Sequence, residues 1–320
     1  MIRENTQTNA IRCALASQRA GVVVAGLSAV ISMLALLAPS KATAAFPGEN
    51  GRIAYHRDAG LDDSGVFTIR PDGSQPQRLI PGVQPSWSPN GERLAFVSIS
   101  NIFVANVDGG GVRQVVDSGY DIPAPAFSPS GNRIVFSGAP RTRRATGIWT
   151  IRTDGTGLRR IVGGIELDRP QYSPNGKRIV FDGAPRANKK AGIWTIRPSG
   201  TRLRRLTRDG ADFAPDYSPD GRQIAFARGG TLSDTIRIMR ADGSHRHVVP
   251  DTRGAGDPAY APAGDRIVVT IYGGPFLGAC GDLYTFSPTG ADRKRLTQNC
   301  EHFPFDGPRA LSPSWQPLPG

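Results

Sequence analysis

From about residue 50 onward, short apolar runs alternate with turn residues along this 320-residue chain. The stretch from Pro125 shows one full cycle. Pro125-Ala126-Phe127 leads into the turn residues Ser128-Pro129-Ser130-Gly131, and the run RIVFSG (133–138) follows. A polar segment, GAPRTRRAT (138–146), separates that run from GIWTIRT (147–153). The residues Thr153-Asp154-Gly155-Thr156-Gly157 turn the chain again before LRRIV (158–162) closes the cycle. Runs of ~4–7 residues rich in β-branched and aromatic side chains, bounded by Gly, Pro, Asn and Asp, predict four short antiparallel strands.

The cycle recurs. PSWSPNG begins at Pro85, PAFSPSG at Pro125, PQYSPNG at Pro170, PDYSPDG at Pro215 and PAYAPAG at Pro258, with a shortened copy, PSWQPLPG, from Pro313. Successive aromatics (Trp87, Phe127, Tyr172, Tyr217, Tyr260, Trp315) are 40, 45, 45, 43 and 55 residues apart. A second turn marker appears six times: PDGS from Pro71, VDGG from Val107, TDGT from Thr153, PSGT from Pro198, ADGS from Ala241 and PTGA from Pro288. Strand-rich units repeating at ~40–50 residues are the mark of propeller blades. The expected fold is all-β: a six-bladed β-propeller of four-stranded antiparallel blades. Each unit is called below by the proline that opens it.

The ends of the repeat complete the count. Asn50 to Tyr55 matches Asn90 to Phe96 but lacks its own Pro–x–aromatic strand, and the segment at Pro313–Pro317 is that strand without a unit. The expectation is that the C-terminal strand inserts beside the N-terminal strands and closes the ring, leaving no unpaired edge.

Residues 1–44 read as a targeting segment. Arg3, Arg12 and Arg19 precede an uncharged stretch from Ala20 to Ala38, and Ala42-Thr43-Ala44 gives a small-residue cleavage pattern. Two readings stand: a cleaved secretory signal peptide, or an uncleaved signal anchor, which would be the chain's only contact with a membrane. Residues 45–320 then form the propeller. Removing 1–44, with four basic residues and one acidic, takes the net charge from +12 to +9. Cys13 goes with that segment, leaving Cys280 and Cys300. An even count in an exported chain, at the same ends of neighbouring strands, predicts a Cys280–Cys300 disulfide contributing about 3 kcal/mol.

The repeat Y/W–S–P–D/N–G, followed by R–I–A–F and a later D–G–T, resembles that of TolB-like propeller proteins over ~270 residues. The resemblance implies a periplasmic or secreted protein–protein interaction module. Members with the full TolB arrangement carry an N-terminal α/β domain; here the repeats start a few residues after the cleavage pattern, so a TolB-like propeller alone is expected. Similar repeats form the propellers of prolyl-oligopeptidase-type peptidases and oligogalacturonate lyases. The peptidases need a separate hydrolase domain with a G-x-S-x-G elbow, which this sequence lacks. The lyases need a histidine-rich metal cluster, and this chain has only His56, His245, His247 and His302.

Loops joining consecutive blades and loops between second and third strands share one face; the SPNG and DGT turns share the other. The longer loops make the first face the expected binding face. Just before the innermost strands it carries Asp121, Glu166, Asp168, Asp212, Asp257 and Asp306. Either Asp121, Asp168, Asp212, Asp257 and Asp306 ring the channel mouth as a site for calcium or a basic peptide, or each forms a local Asx turn. The same face carries Arg141, Arg143, Arg144, Arg186, Lys189 and Lys190 in loops of two near-duplicate units. These form either a site for an anionic envelope polymer or a solvated rim; export disfavours nucleic acid. The pairs in LRRIV, LRRLT and RKRLT read as charges that protect outer sheet edges.

Together these readings predict an exported, non-catalytic scaffold that binds a protein partner in the cell envelope through its long-loop face. Two other readings remain: a metal-assisted lyase or lactonase at the channel mouth, and a non-catalytic partner of a separately encoded peptidase or transporter.

Overall fold

The computed structural model describes residues 47–59, 63–117, 124–140, 146–185, 190–229, 234–273, 280–300 and 309–318. Among them there are strands and turns and no helix. The Pro85 unit is one four-stranded antiparallel sheet, Val83–Trp87, Arg93–Ser98, Asn101–Asn106 and Arg113–Asp117 in sequential order. The Pro215 unit repeats it with Asp212–Tyr217, Gln223–Arg228, Thr235–Arg240 and His247–Val248.

The Pro125 and Pro170 units share a strand. Arg159–Tyr172 runs for 14 residues, pairing through its first part with Gly147–Arg152 and through its second with Ile179–Pro185, which makes one seven-stranded sheet. The sequence predicts an acidic loop at Glu166 and Asp168. Between the two units the chain instead stays extended and takes up the change of direction in register shifts, with left-handed backbone at Glu166 (φ 53°) and Arg169 (φ 47°).

The C-terminal strand Arg309–Leu318 pairs antiparallel with Glu49–Asp58, matching Ile53 with Trp315 and Ala54 with Ser314. Gln316 fixes this seam. Its Oε1 accepts the Arg52 N–H (3.1 Å) and its Nε2 donates to the Gly91 carbonyl (2.9 Å), so one side chain ties two units together. Cys280 and Cys300 are bonded, as the sequence predicts. Buried Asp282 organises the loop into that bond, accepting from Arg295, Thr297 Oγ1 and the Asn299 N–H at 2.7–2.8 Å.

Alternation along the strands explains the core. Ile53 and Tyr55 pack with Val268 and Leu283 of the Pro258 unit, while Ala54, between them, packs with Trp87 and Leu94 of the Pro85 unit. Side chains on successive residues point to opposite sheet faces, and both faces are buried. Each apolar cluster therefore straddles two consecutive units: Phe127, Phe136 and Trp149 meet Val97 and Val104, and Phe181 and Trp194 meet Val135 and Ile148. The remaining clusters join the Pro170 to the Pro215 unit and the Pro215 to the Pro258 unit.

The SPxG turns show why those residues recur. Ser88, Ser128, Ser173 and Ser218 each accept, through Oγ, the N–H five residues on, at 2.9–3.1 Å. The glycine three residues after each serine has φ of 67–70°, a conformation costly for any residue with a Cβ. In three of them the bare face receives a neighbouring proline: Pro89 lies over Gly131, Pro129 over Gly176 and Pro174 over Gly221; Pro219 lies likewise over Gly264 of the APAG copy. The motif is thus a contact between units as well as a turn.

The outer arginines also do more than carry charge at an edge. Arg113 donates to the Thr153 carbonyl, Arg159 to that of Pro198 and Arg204 to that of Asp242, each reaching the next unit's turn. Arg160 and Arg205 lie over the rings of Trp149 and Trp194 within their own units, at 5.9 and 5.7 Å.

Candidate functional site

All of the innermost strands contribute to one cavity of about 130 Å³. Its wall includes the residue three before each repeat aromatic: Gln84, Ala124, Arg169, Ala214, Asp257 and Ser312. Five of these, all but Ala124, are left-handed, with φ of 47–53°. Residues with a Cβ are strained there by about 1–2 kcal/mol each. Every one of the five sits at a register shift in its strand, the local distortion that turns a side chain out of the sheet pattern. Strain repeated around one cavity makes this place a candidate site.

Its charged centre is Arg169. The guanidinium pairs with Asp257 and lies 3.7 Å from an Asp168 oxygen, with the Phe213 ring 6.0 Å away. Burial works against the arginine's charge, but Asp257, Asp168 and Asp182 outweigh it and hold its pKa above the usual value. Asp168 is oriented by the Arg169 N–H (2.8 Å) and by Ser137 Oγ (2.9 Å). Asp182 accepts the Ala214 N–H at 3.2 Å. Burial, and then the charge of Asp168, push its carboxyl up to about 8. On the wall of the same cavity Asp216 accepts the Tyr260 N–H (2.8 Å), and burial pushes its carboxyl up to about 7.

The five acids expected at the channel mouth separate. Asp168 and Asp257 converge, and the position between them is filled by a guanidinium. Asp212 turns away into a two-pronged pair with Arg228 (2.5 and 2.8 Å). Asp121 and Asp306 lie outside the described residues. Among the described residues no group of three or more His, Cys, Asp or Glu could hold a metal ion. Of the basic loop residues, Lys190 is exposed; Arg141, Arg143, Arg144, Arg186 and Lys189 lie outside the described residues. His245 has left-handed backbone (φ 53°) just before the strand that carries His247, and both are exposed.

The sequence reading missed Arg169, Asp182 and Asp216. The signal for Asp216 was present: it stands immediately before the repeat aromatic, on a strand already placed at the channel. Arg169 carried no such signal, because its role depends on a left-handed backbone that no residue type announces.

The family model described as TolB beta propeller domain matches residues 50–318. The structure resembles that of TolB from Acinetobacter baumannii (TM-score 0.69, 22% identity, covering 85% of this chain and 68% of that one). It also resembles a putative TolB from Agrobacterium tumefaciens (TM-score 0.62, 20% identity, 83% and 99%) and a chain of a nidogen/laminin complex (0.60, 15%, 82% and 98%). An oligogalacturonate lyase from Vibrio parahaemolyticus is similar at TM-score 0.52 and 13% identity, over 81% and 78% of the two chains. Among curated proteins, an uncharacterized peptidase of Bacillus subtilis, YuxL, is 25% identical over 93 residues, 27% of this chain. The chain spans only 14% of that relative's length.

Proposed function

We propose that this chain, a member of the TolB β-propeller family, is an exported, non-catalytic scaffold that docks a segment of a protein partner at its channel mouth. In this reading it is a six-bladed ring closed by the pairing of Arg309–Leu318 with Glu49–Asp58. The order of the apolar clusters, each joining one unit to the next and the last to the first, supports the ring.

One observation carries the docking proposal: the cluster of Arg169, Asp257 and Asp168, in which Arg169 and Asp257 line the cavity and Asp168 adjoins Arg169. Both signs of charge are held ready on fixed backbone. A partner's lysine or arginine would exchange for Arg169 on the two carboxylates, and a partner's carboxylate would take the freed guanidinium. Pre-set groups of this kind lower the ordering cost of binding. Calcium, the metal those carboxylates would take, competes for the same place in this scheme. An anionic envelope polymer would instead meet the basic loops.

The test is a photo-crosslinking residue at Gln171, which lines the cavity, in chain exported by its own leader. The expected result is a discrete protein adduct that disappears with Asp257→Asn. Absence of adducts at Gln171 and at Ala259, with the protein folded, overturns the proposal. Intact mass of the exported protein checks export, with a start at Ala45 or Phe46 expected.

A second reading, a lyase-type or lactonase-type enzyme, is favoured by Asp216 alone. A carboxyl pushed up to about 7 inside a cavity is suited to proton transfer near neutral pH. Release of unsaturated product from polygalacturonate, lost in Asp216→Asn, would establish it in place of the scaffold.

A further inference from the structure

Away from the channel, an open groove of about 720 Å³ lies between the outer edges of the Pro170 and Pro215 units. Lys190, Arg204, Arg205, Arg208 and Arg246 line it, with Trp194 at its wall and Asp242 as its one acidic residue among the described residues. We infer that this groove is a binding site for a phosphate-bearing linear polymer.

One position sets this groove apart from the two notches before it. Five residues after the residue that opens the DG-type turn (Thr153, Pro198, Ala241) stand Leu158 in the Pro125 unit, Leu203 in the Pro170 unit and Arg246 in the Pro215 unit; the same position is Val112 in the Pro85 unit and Arg293 in the Pro258 unit. Leu158 packs against the core shared with the Pro85 unit, and Leu203 against the core shared with the Pro125 unit. Each leucine seals the notch between outer strands. Arg246 is exposed and donates instead to the Leu206 carbonyl (2.5 Å), which leaves the notch open and adds a cation to it.

Three of the arginines are anchored without losing their charge. Arg204 donates to the Asp242 carbonyl (3.0 Å), Arg205 to the carbonyls of Ala191 (2.5 Å) and Arg208 (3.1 Å), and Arg246 to that of Leu206. A carbonyl fixes a guanidinium but does not neutralise it, and each guanidinium has five N–H donors. Among the described residues none of the five cations forms a salt bridge. The carboxylate of Asp242 is engaged by the Ser244 N–H (2.8 Å) and Oγ (2.6 Å). Nearby Asp209 faces Arg228, at 3.3 Å.

Rigid guanidinium forks match phosphate, which offers several acceptor edges on one centre; a carboxylate offers one. Cations from both units line the groove, an arrangement that suits successive phosphates of a chain.

Titration of the full exported protein with inorganic polyphosphate tests the assignment. Saturable binding is expected, weakening about tenfold or more as salt rises from about 50 to 200 mM. Arg246→Leu installs the residue that seals the neighbouring notches, so it should fold, and Arg208→Ser alters an exposed side chain. Each should weaken polyphosphate binding about tenfold or more, while Arg222→Ser, the same charge change on an exposed turn elsewhere, should not. Undiminished binding in both groove variants, or an equal loss in Arg222→Ser, overturns the site. Polygalacturonate binding as tightly as polyphosphate at matched charge overturns the preference for phosphate.

Discussion

The Pro125 and Pro170 units are nearly one sequence written twice, RIVFSGAP…GIWTIRTDGTGLRRI against RIVFDGAP…GIWTIRPSGTRLRRL. Their buried frames coincide. Ile134, Val135 and Phe136 match Ile179, Val180 and Phe181, all 0% exposed, and Trp149 and Trp194 each carry an arginine over the ring. Their polar edges do not. Trp149 Nε1 donates to the Gly138 carbonyl (3.1 Å), whereas Trp194 Nε1 is buried with no partner among the described residues. Ser137 donates to Asp168, whereas Asp182, its counterpart, holds a backbone N–H of the following unit. One unit is sealed at its outer edge by Leu203; the other faces Arg246. The internal pattern of a unit builds its sheet, and single polar positions at its borders decide what that sheet can bind.

The comparison can be broken most severely in the core. Phe136→Ala and Phe181→Ala should each cost about 3–5 kcal/mol, since both rings are enclosed by two units. Denaturant unfolding should give values within about 1 kcal/mol of each other; a larger gap would mean that the two frames are not equivalent. Next in size is Leu203→Arg, which copies the Arg246 arrangement onto the neighbouring notch. A loss of about 2 kcal/mol is expected, from the apolar burial given up.

The tryptophans sharpen the contrast further. Trp149→Phe removes a made hydrogen bond and Trp194→Phe does not, so the first should cost about 1 kcal/mol more than the second. Thermal melts of the two variants, each against wild type, measure that gap.

A further expected effect follows pH. The carboxyl of Asp182 stands at about 8 in the folded protein against an ordinary value of 3.8, so the folded state holds its proton more tightly than the unfolded state does. Its contribution to stability is full below pH 3.8 and declines as pH rises towards 8. Asp182→Ser, which gives this unit the residue of its twin, should flatten that decline. The Tm difference, variant minus wild type, should grow by several °C between pH 4 and pH 8. A difference that shrinks over that range would reverse the sign and refute the assignment.

The architecture was legible because its determinants are local and repeated. Ser, Pro and Gly at fixed spacing specify the same turn wherever they occur, and two cysteines at neighbouring strand ends have one partner each. The site was half legible. Asp168 and Asp257 were named from their place before inner strands, but so was Asp212, which belongs to Arg228. Which acid faces the cavity depends on the left-handed residue in each strand. Gln84, Arg169, Ala214, Asp257 and Ser312 have no side-chain chemistry in common that would reveal it. The outer arginines were read as edge charges because their carbonyl partners lie about 40 residues away, on another unit's turn.

The shared strand Arg159–Tyr172 has a consequence for how the molecule can be cut. A protease needs several residues of free, extended chain, and here the passage between two units is itself engaged on both sides, first by one sheet and then by the next. Nicks should therefore fall elsewhere, and the twin units should leave together as a single resistant fragment. No hinge separates them, so whatever is captured beside Asp168 is felt by both at once.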